Sequence, residues 1–170
     1  MDKQKAEESL LSFHERPVCA LRLFNVFGLG QKRDSPYSGV LTIFSDNINK
    51  NMPLKIFGDG HQSRDFVHVN DVCKTILSAL SKPIPNFSVI NVGSGKGISI
   101  SDLAKLISET GVVSELPESE IIFSAKRPGD VRHSTADLSG LEQFLDKRDM
   151  IPLDAGLQDL IERTLHEYDA

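Results

Sequence analysis

Val18-Cys19-Ala20-Leu21-Arg22-Leu23-Phe24, running on into Asn25-Val26-Phe27-Gly28, is the stretch that decides the fold. It is short, apolar and rich in strand formers, with Arg22 as its interruption, the composition of a strand buried inside a parallel sheet. Asn25 stands at the C-terminal end of that strand, where open α/β sheets collect their ligands. Upstream, Ala6, Leu10 and Phe13 recur at helical spacing, and the helix is expected to end near His14-Glu15-Arg16-Pro17, because proline disfavours helix in the residue before it.

Beyond Gly28, residues 28–39 are rich in Gly, Lys, Arg, Asp, Ser and Pro without apolar periodicity and read as a loop. Val40, Ile43, Phe44 and Ile48 then mark an amphipathic helix, and Leu54 to Phe57 a short strand closed by the turn Gly58-Asp59-Gly60. Arg64 to Val69 is extended, and Asn70 is positioned to cap a helix bearing Val72, Ile76, Leu77 and Leu80. Phe87 to Asn91 and Ile121 to Phe123 read as strands, and Ser99 to Asp102 as a capping-box start, with Asp in place of Glu, for the helix of Leu103, Leu106 and Ile107. A polar loop over 127–137, a short helix from Leu138 to Leu145 and a terminal helix bearing Leu153, Leu157, Leu160, Ile161 and Leu165 complete the chain.

With 170 residues, 39% hydrophobic and 25% charged, the chain has the composition of one soluble domain or part of one. Its net charge of −5 is spread along the sequence, which argues against nucleic acid as a partner. No apolar run approaches the length of a membrane span and the polar start is unlike a signal peptide, so a cytoplasmic location with no membrane partner is expected. Cys19 and Cys73 lie in apolar segments and read as reduced, buried residues. The histidines show no zinc-site spacing, so no metal is assigned, and His68 reads as a satisfied structural side chain.

Several separate blocks, taken together, resemble one family across nearly the whole chain. They are Lys3 to Glu7, Arg22 to Gly28, Tyr37-Ser38-Gly39-Val40, Pro53 to Gly60, Arg64-Asp65-Phe66-Val67-His68-Val69-Asn70-Asp71-Val72, Asn91-Val92-Gly93-Ser94-Gly95 and Arg127-Pro128-Gly129-Asp130-Val131-Arg132. The family is the extended short-chain dehydrogenase/reductases, the NAD-dependent sugar-nucleotide epimerases and dehydratases. The resemblance implies an α/β fold, the C-terminal part of an NAD(P)-binding Rossmann-type protein and mainly its small substrate-binding domain. Residues 1–30 would be the end of the Rossmann-type domain, with active-site helix and following strand; residues 31–170 would be mostly substrate-binding domain, with segments around 64–95 returning to the Rossmann part. Only one clear strand of a central sheet is legible, at 18–24, and a lone buried strand with open edges predicts poor stability in isolation.

The same resemblance implies roles. In the family a tyrosinate removes the hydroxyl proton while NAD takes hydride from C4 of the sugar, and Lys3 matches the lysine that contacts cofactor and lowers the tyrosine's pKa. Asn25 matches the asparagine that bonds the substrate diphosphate. Arg64 and Arg127 match arginines that reach the diphosphate and the nucleotide, for which a planar, permanently charged fork is suited. Asp130 matches the acceptor for ribose hydroxyls and Phe57 the residue against the uracil, although an ordinary core role for Phe57 stays equally open. Gly39 and Val40 belong to a segment resembling the UDP-N-acetylhexosamine epimerases. Ser134 matches a pocket-wall position where a small residue leaves room for a 2-N-acetyl group, the alternative being a plain loop serine.

Two of the family's parts fall outside the sequence. The tyrosine would sit two residues before Met1, and the glycine-rich NAD loop belongs to a preceding half. Gly93-Ser94-Gly95-Lys96-Gly97 does not replace that loop: its glycine spacing fits neither a phosphate loop nor a dinucleotide fingerprint, and it reads as a tight turn. The chain alone is therefore expected to bind NAD weakly or not at all. Three readings follow: an epimerase half working with a separately encoded N-terminal Rossmann half, a truncated product, or a nucleotide-sugar-binding module without catalysis. A UDP-glucose or UDP-N-acetylglucosamine 4-epimerase is favoured over a 4,6-dehydratase, and the family is usually homodimeric.

Overall fold

Alternation along one strand divides the protein into two cores. The computed structural model describes residues 3–11, 17–31, 39–85, 87–146 and 149–168. In it, strand β4 (Ser63–His68) sends Phe66 into one apolar cluster and Val67 into another, as successive residues of a strand must point to opposite faces. The first cluster lies among helices α2 (Val40–Asn49), α4 (Ile100–Val113) and α5 (Leu153–Tyr168) and strand β3 (Leu54–Phe57), with Phe44, Leu54, Ile56, Leu103, Ile107, Leu157 and Ile161 essentially inaccessible. The second gathers Val72 of helix α3 (Val69–Ser81), Ile90 and Val92 of strand β5 (Phe87–Val92), and Leu138, Leu141, Phe144 and Leu145. Each such side chain contributes about 1.5–3 kcal/mol through burial.

The decisive stretch is two strands. Strand β1 (Val18–Leu23) runs parallel to β5, with Leu21 opposite Ile90, and the Phe24 amide extends that ladder to Val92 O at 3.0 Å. The chain then changes partners, and β2 (Asn25–Phe27) lies parallel to β4 with Asn25 opposite Phe66. On its other edge β4 runs antiparallel to β6 (Gly97–Ser99), while β3 pairs in parallel with β7 (Ile121–Ser124). Two expectations are corrected here. A central sheet with one legible strand has two, because β5 lies some seventy residues downstream of β1, beyond any local pattern; and Asn25 opens a second strand instead of ending the first.

Helix α1 (Lys3–Leu10) is tied to β1 by a two-pronged ion pair, Arg22 Nε and Nη2 donating to Glu7 Oε1 and Oε2 at 2.8 and 2.7 Å. Its expected end at 14–17 and most of the 28–39 loop fall outside the described residues. Helix α3 begins one turn position earlier than expected. His68 caps it, its Nδ1 accepting from the Asn70 amide at 3.2 Å while the ring meets Phe27 edge to face, so His68 replaces Asn70 as the cap. Burial pushes the His68 pKa below its usual value, consistent with a neutral ring that accepts. Ser99 caps α4 as expected, taking the Asp102 amide at 3.0 Å, but Asp102 returns to the Ser99 hydroxyl at 2.6 Å, its shorter side chain closing the box on oxygen. Residues 138–145 form hydrogen-bonded turns in place of the expected helix, opened by Asp137 accepting from the Ser139 amide and carried by Leu141 N to Leu138 O and Phe144 N to Leu141 O, both 2.8 Å.

Between the two cores sits a wholly buried acid. Asp65 accepts four hydrogen bonds: from the Ser94 amide at 2.7 Å, the Ser94 hydroxyl at 2.6 Å, the Gly95 amide at 3.0 Å and the Ala136 amide at 2.9 Å. These bonds clamp the 93–97 turn and the 134–136 segment onto β4. Glycine is required at Gly93 because a Cβ there would lie 2.6 Å from Ala136 Cβ and 2.8 Å from the Asp65 carboxylate. Replacing Asp65 by Asn keeps the shape but turns one acceptor into a donor facing backbone N–H groups. Asp65→Asn is expected to lower the unfolding free energy by about 3 kcal/mol, read as a lower urea midpoint with an unchanged slope; an unchanged midpoint would show that the clamp is dispensable.

Candidate functional site

The change of sheet at Phe24–Asn25 leaves a crevice, and side chains from five separate segments close on it. A cavity of about 180 Å³ is lined by Asn25, Val40, Lys55, Phe57, Gln62, Arg64, Ile100, Arg127 and Asp130. Six of the side chains singled out in the sequence thus meet in one place. Gly39 does not line it; it is the cap residue before Val40, its carbonyl accepting the Ile43 amide at 3.1 Å. Tyr37 and Ser38 fall outside the described residues.

Asn25 joins this cavity to a broader cleft of about 1050 Å³ between α1 and β1, which Lys3, Glu7, Arg22, Asn91 and Ser134 also line. The Asn25 amide is aimed by a bond from Nδ2 to the Asp65 carbonyl at 3.0 Å. Ser134 is held through its backbone, its amide donating to Ser63 O at 3.2 Å, beside a parallel bridge between Ser63 and His133. Lys3 and Ser134 therefore flank one cleft, with Asn25 at the passage into the smaller cavity.

The charged groups differ in how far they are committed. Arg64 Nη1 donates to Ser63 O at 2.8 Å and Val131 O at 2.7 Å, and Nη2 makes a short ion pair with Asp130, so three of its five donors are spent on the 130–131 loop. Arg127 lies on the Phe57 ring, Cζ 3.8 Å from the centroid. Arg132, far from both in sequence terms, is engaged outside the cavity, with Nη1 at 2.6 and 2.9 Å from the two Asp59 oxygens. Sequence reasoning missed Lys55 and Gln62. Lys55 was within reach, since it stands two residues before Phe57 on one strand and shares its side of β3. Gln62 carried no local signal; it is buried because its amide donates to Phe57 O at 2.7 Å.

The arrangement offers guanidinium donors, a carboxamide and one carboxylate acceptor, a set suited to a phosphate-bearing, hydroxylated ligand. It offers no cradle for a dinucleotide. The Ser94 and Gly95 amides of the glycine turn are consumed by Asp65, and Gly95, at φ +72°, packs against Leu138, as the tight-turn reading requires. Lys3 is the one assigned contact to such a cofactor, and the described residues do not fit the group as a whole. Among the described residues no three His, Cys, Asp or Glu side chains gather into a metal site, and no helix is long and apolar enough to cross a membrane.

Residues 1–93 match the model of the NAD dependent epimerase/dehydratase family. The dTDP-L-rhamnose 4-epimerase of Burkholderia thailandensis is 33% identical over 144 residues, 85% of this chain and 39% of that protein. The structure of the UDP-N-acetylglucosamine 4-epimerase from Methanobrevibacter ruminantium, in complex with UDP-N-acetylmuramic acid, is similar over 99% of this chain and 53% of that one, with a TM-score of 0.85 and 33% identity. The UDP-glucose 4-epimerase of Thermotoga maritima, solved with UDP-glucose, gives a TM-score of 0.86 at 29% identity over 98% of this chain and 52% of that one. The chain thus spans two fifths of the curated relative and about half of the solved structures.

At the edge of the cavity, the Arg132 guanidinium and then the His61 amide hold the Asp59 carboxyl down to about 2. Because that value lies below the unfolded one of about 4, the pair favours the fold fully above pH 4 and loses its effect as pH falls toward 2. Carboxyl-carbon NMR is expected to show Asp59 titrating near 2, and Arg132→Ala to raise the midpoint by at least one unit; an unmoved midpoint would assign the shift elsewhere.

Proposed function

Since this chain belongs to the NAD-dependent epimerase/dehydratase family, we propose that it is the substrate-holding half of a sugar-nucleotide 4-epimerase whose substrate is UDP-glucose or UDP-N-acetylglucosamine. The observation that carries this is the convergence of Asn25, Phe57, Arg64, Arg127 and Asp130 on one cavity that opens through Asn25 to the cleft of Lys3 and Ser134. The diphosphate takes the smaller cavity, bonded by the free donors of Arg127, the remaining donors of Arg64 and the Asn25 carboxamide. Asp130, already an acceptor for Arg64, has a second oxygen for the ribose hydroxyls. The hexose lies in the larger cleft, with Lys3 as the cation beside its reacting end and Ser134 leaving space at C2. Gly39 and Val40 supply the entry to α2 at the rim.

Residues 1–30 belong to a Rossmann-type domain and 31–170 mostly to a substrate domain, with the 64–95 region returning; the parallel pairing of β1 with β5 supports that return. The cofactor's hydride chemistry is assigned to no residue of this chain. A second polypeptide segment supplies it, and the outer edge of β1, unpaired among the described residues, with exposed Leu23 nearby, supports such a partner. A nucleotide-sugar-binding module without catalysis is the second reading, favoured because the binding groups lie in this chain while no dinucleotide cradle does; a 4,6-dehydratase half has the same substrate end.

Calorimetric titration of the 170-residue chain separates binding from catalysis. UDP-glucose and UDP-N-acetylglucosamine are both expected to bind without NAD, and Arg127→Ala to weaken each about tenfold, the loss of one charge-assisted contact. Ser134→Tyr is expected to weaken UDP-N-acetylglucosamine selectively. A chain that ignores both ligands at millimolar concentration is not the substrate-holding half.

A further inference from the structure

Two cations share the ring of Phe57. Arg127 Cζ stands 3.8 Å from its centroid and Lys55 Nζ 5.4 Å. Both line the small cavity, together with Arg64 and Asp130. Arg127 makes no hydrogen bond or ion pair with another described residue, in contrast to Arg64, whose fork is anchored to Ser63, Val131 and Asp130. An exposed guanidinium on a polar loop with no acceptor ordinarily samples many rotamers, at an entropic cost when a ligand fixes it. Here the negative face of the ring supplies the restraint that no carboxylate does. Three cations against the single carboxylate of Asp130 also leave the lining with two uncompensated positive charges, the complement of a diphosphate.

We propose that Phe57 is a positioning residue for cations: its ring holds Arg127, and Lys55 beside it, at the mouth of the cavity, and it acts on the phosphate end of the ligand instead of serving as a platform for the base. Lys55 is thereby a further phosphate-binding residue. A base stacked on the ring face that Arg127 covers would have to expel the guanidinium that the phosphates need. The inference rests on the cavity being a nucleoside-diphosphate site, and it identifies which end of that ligand feels the aromatic ring.

The probes that decide it are inorganic pyrophosphate, which has no base, and UDP, titrated into the wild-type chain and its variants. Phe57→Leu is expected to weaken pyrophosphate and UDP by the same factor, about fivefold, the scale of one cation–π contact. Phe57→Tyr, which keeps the ring, is expected to retain both affinities, and Arg127→Ala is expected to cost much less in the Phe57→Leu background than alone, as coupled residues do. Lys55→Gln, at an exposed position that does not threaten the fold, is expected to cost pyrophosphate about threefold. Loss of UDP affinity with pyrophosphate unchanged in Phe57→Leu would return the ring to the base and overturn the inference while leaving the functional reading intact. Unchanged pyrophosphate binding in Lys55→Gln removes Lys55 from the site. If the wild-type chain binds neither probe, the functional reading falls, and this inference with it.

Discussion

A carboxylate with no access to solvent must be satisfied by its neighbours, and Asp65 imposes that demand on three segments at once. Its two oxygens take the Ser94 and Gly95 amides, the Ser94 hydroxyl and the Ala136 amide. Burying a charge is costly unless the lost hydration is replaced bond for bond. The 93–97 turn and the 134–136 segment therefore have little freedom to sit elsewhere, and the glycines of the turn follow from the closeness of approach. What resembles a phosphate loop in sequence is a loop that already holds an anion, one belonging to the protein.

The candidate site hangs from the same strand. The Asp65 carbonyl aims Asn25, Ser63 holds Ser134 and Arg132 through its carbonyl and amide, and Arg64 fastens the loop of Asp130 and Val131. Four residues in a row on β4 thus serve as scaffold, fastener, clamp and core. A site built this way borrows its rigidity from backbone pairing, which is how a shallow, charged cavity stays ordered without a deep apolar pocket around it.

Much of the fold was legible locally. The apolar spacing of Val40, Phe44 and Ile48, of Leu103 and Ile107, and of Leu157, Leu160 and Ile161 marks helices that the structure contains, because one buried stripe decides each of them. What failed was partnership. An apolar run reads the same whether it pairs with one neighbour or two, so the exchange at Phe24 from β5 to β4 left no trace in composition. A histidine lone pair capped α3 where Asn70 looked the better donor of oxygen, since the ring was already fixed against Phe27. For the site, the family blocks named the arginines and Asp130, while the bond between Arg64 and Asp130, across sixty-six residues, and the seat of Arg127 on Phe57 are properties of the folded chain alone.

Arg64 and Asp65 are adjacent, opposite in charge and directed to opposite sides of β4, one to a wet cavity and one to a dry interior. Sliding the strand by a single residue would exchange them, carrying a guanidinium into a nest of backbone N–H donors and leaving the acid among cations' solvent-facing places. Strands with merely apolar faces tolerate such slips at modest expense; this one carries a parity check written in charge, so that its alignment is either right or electrostatically untenable.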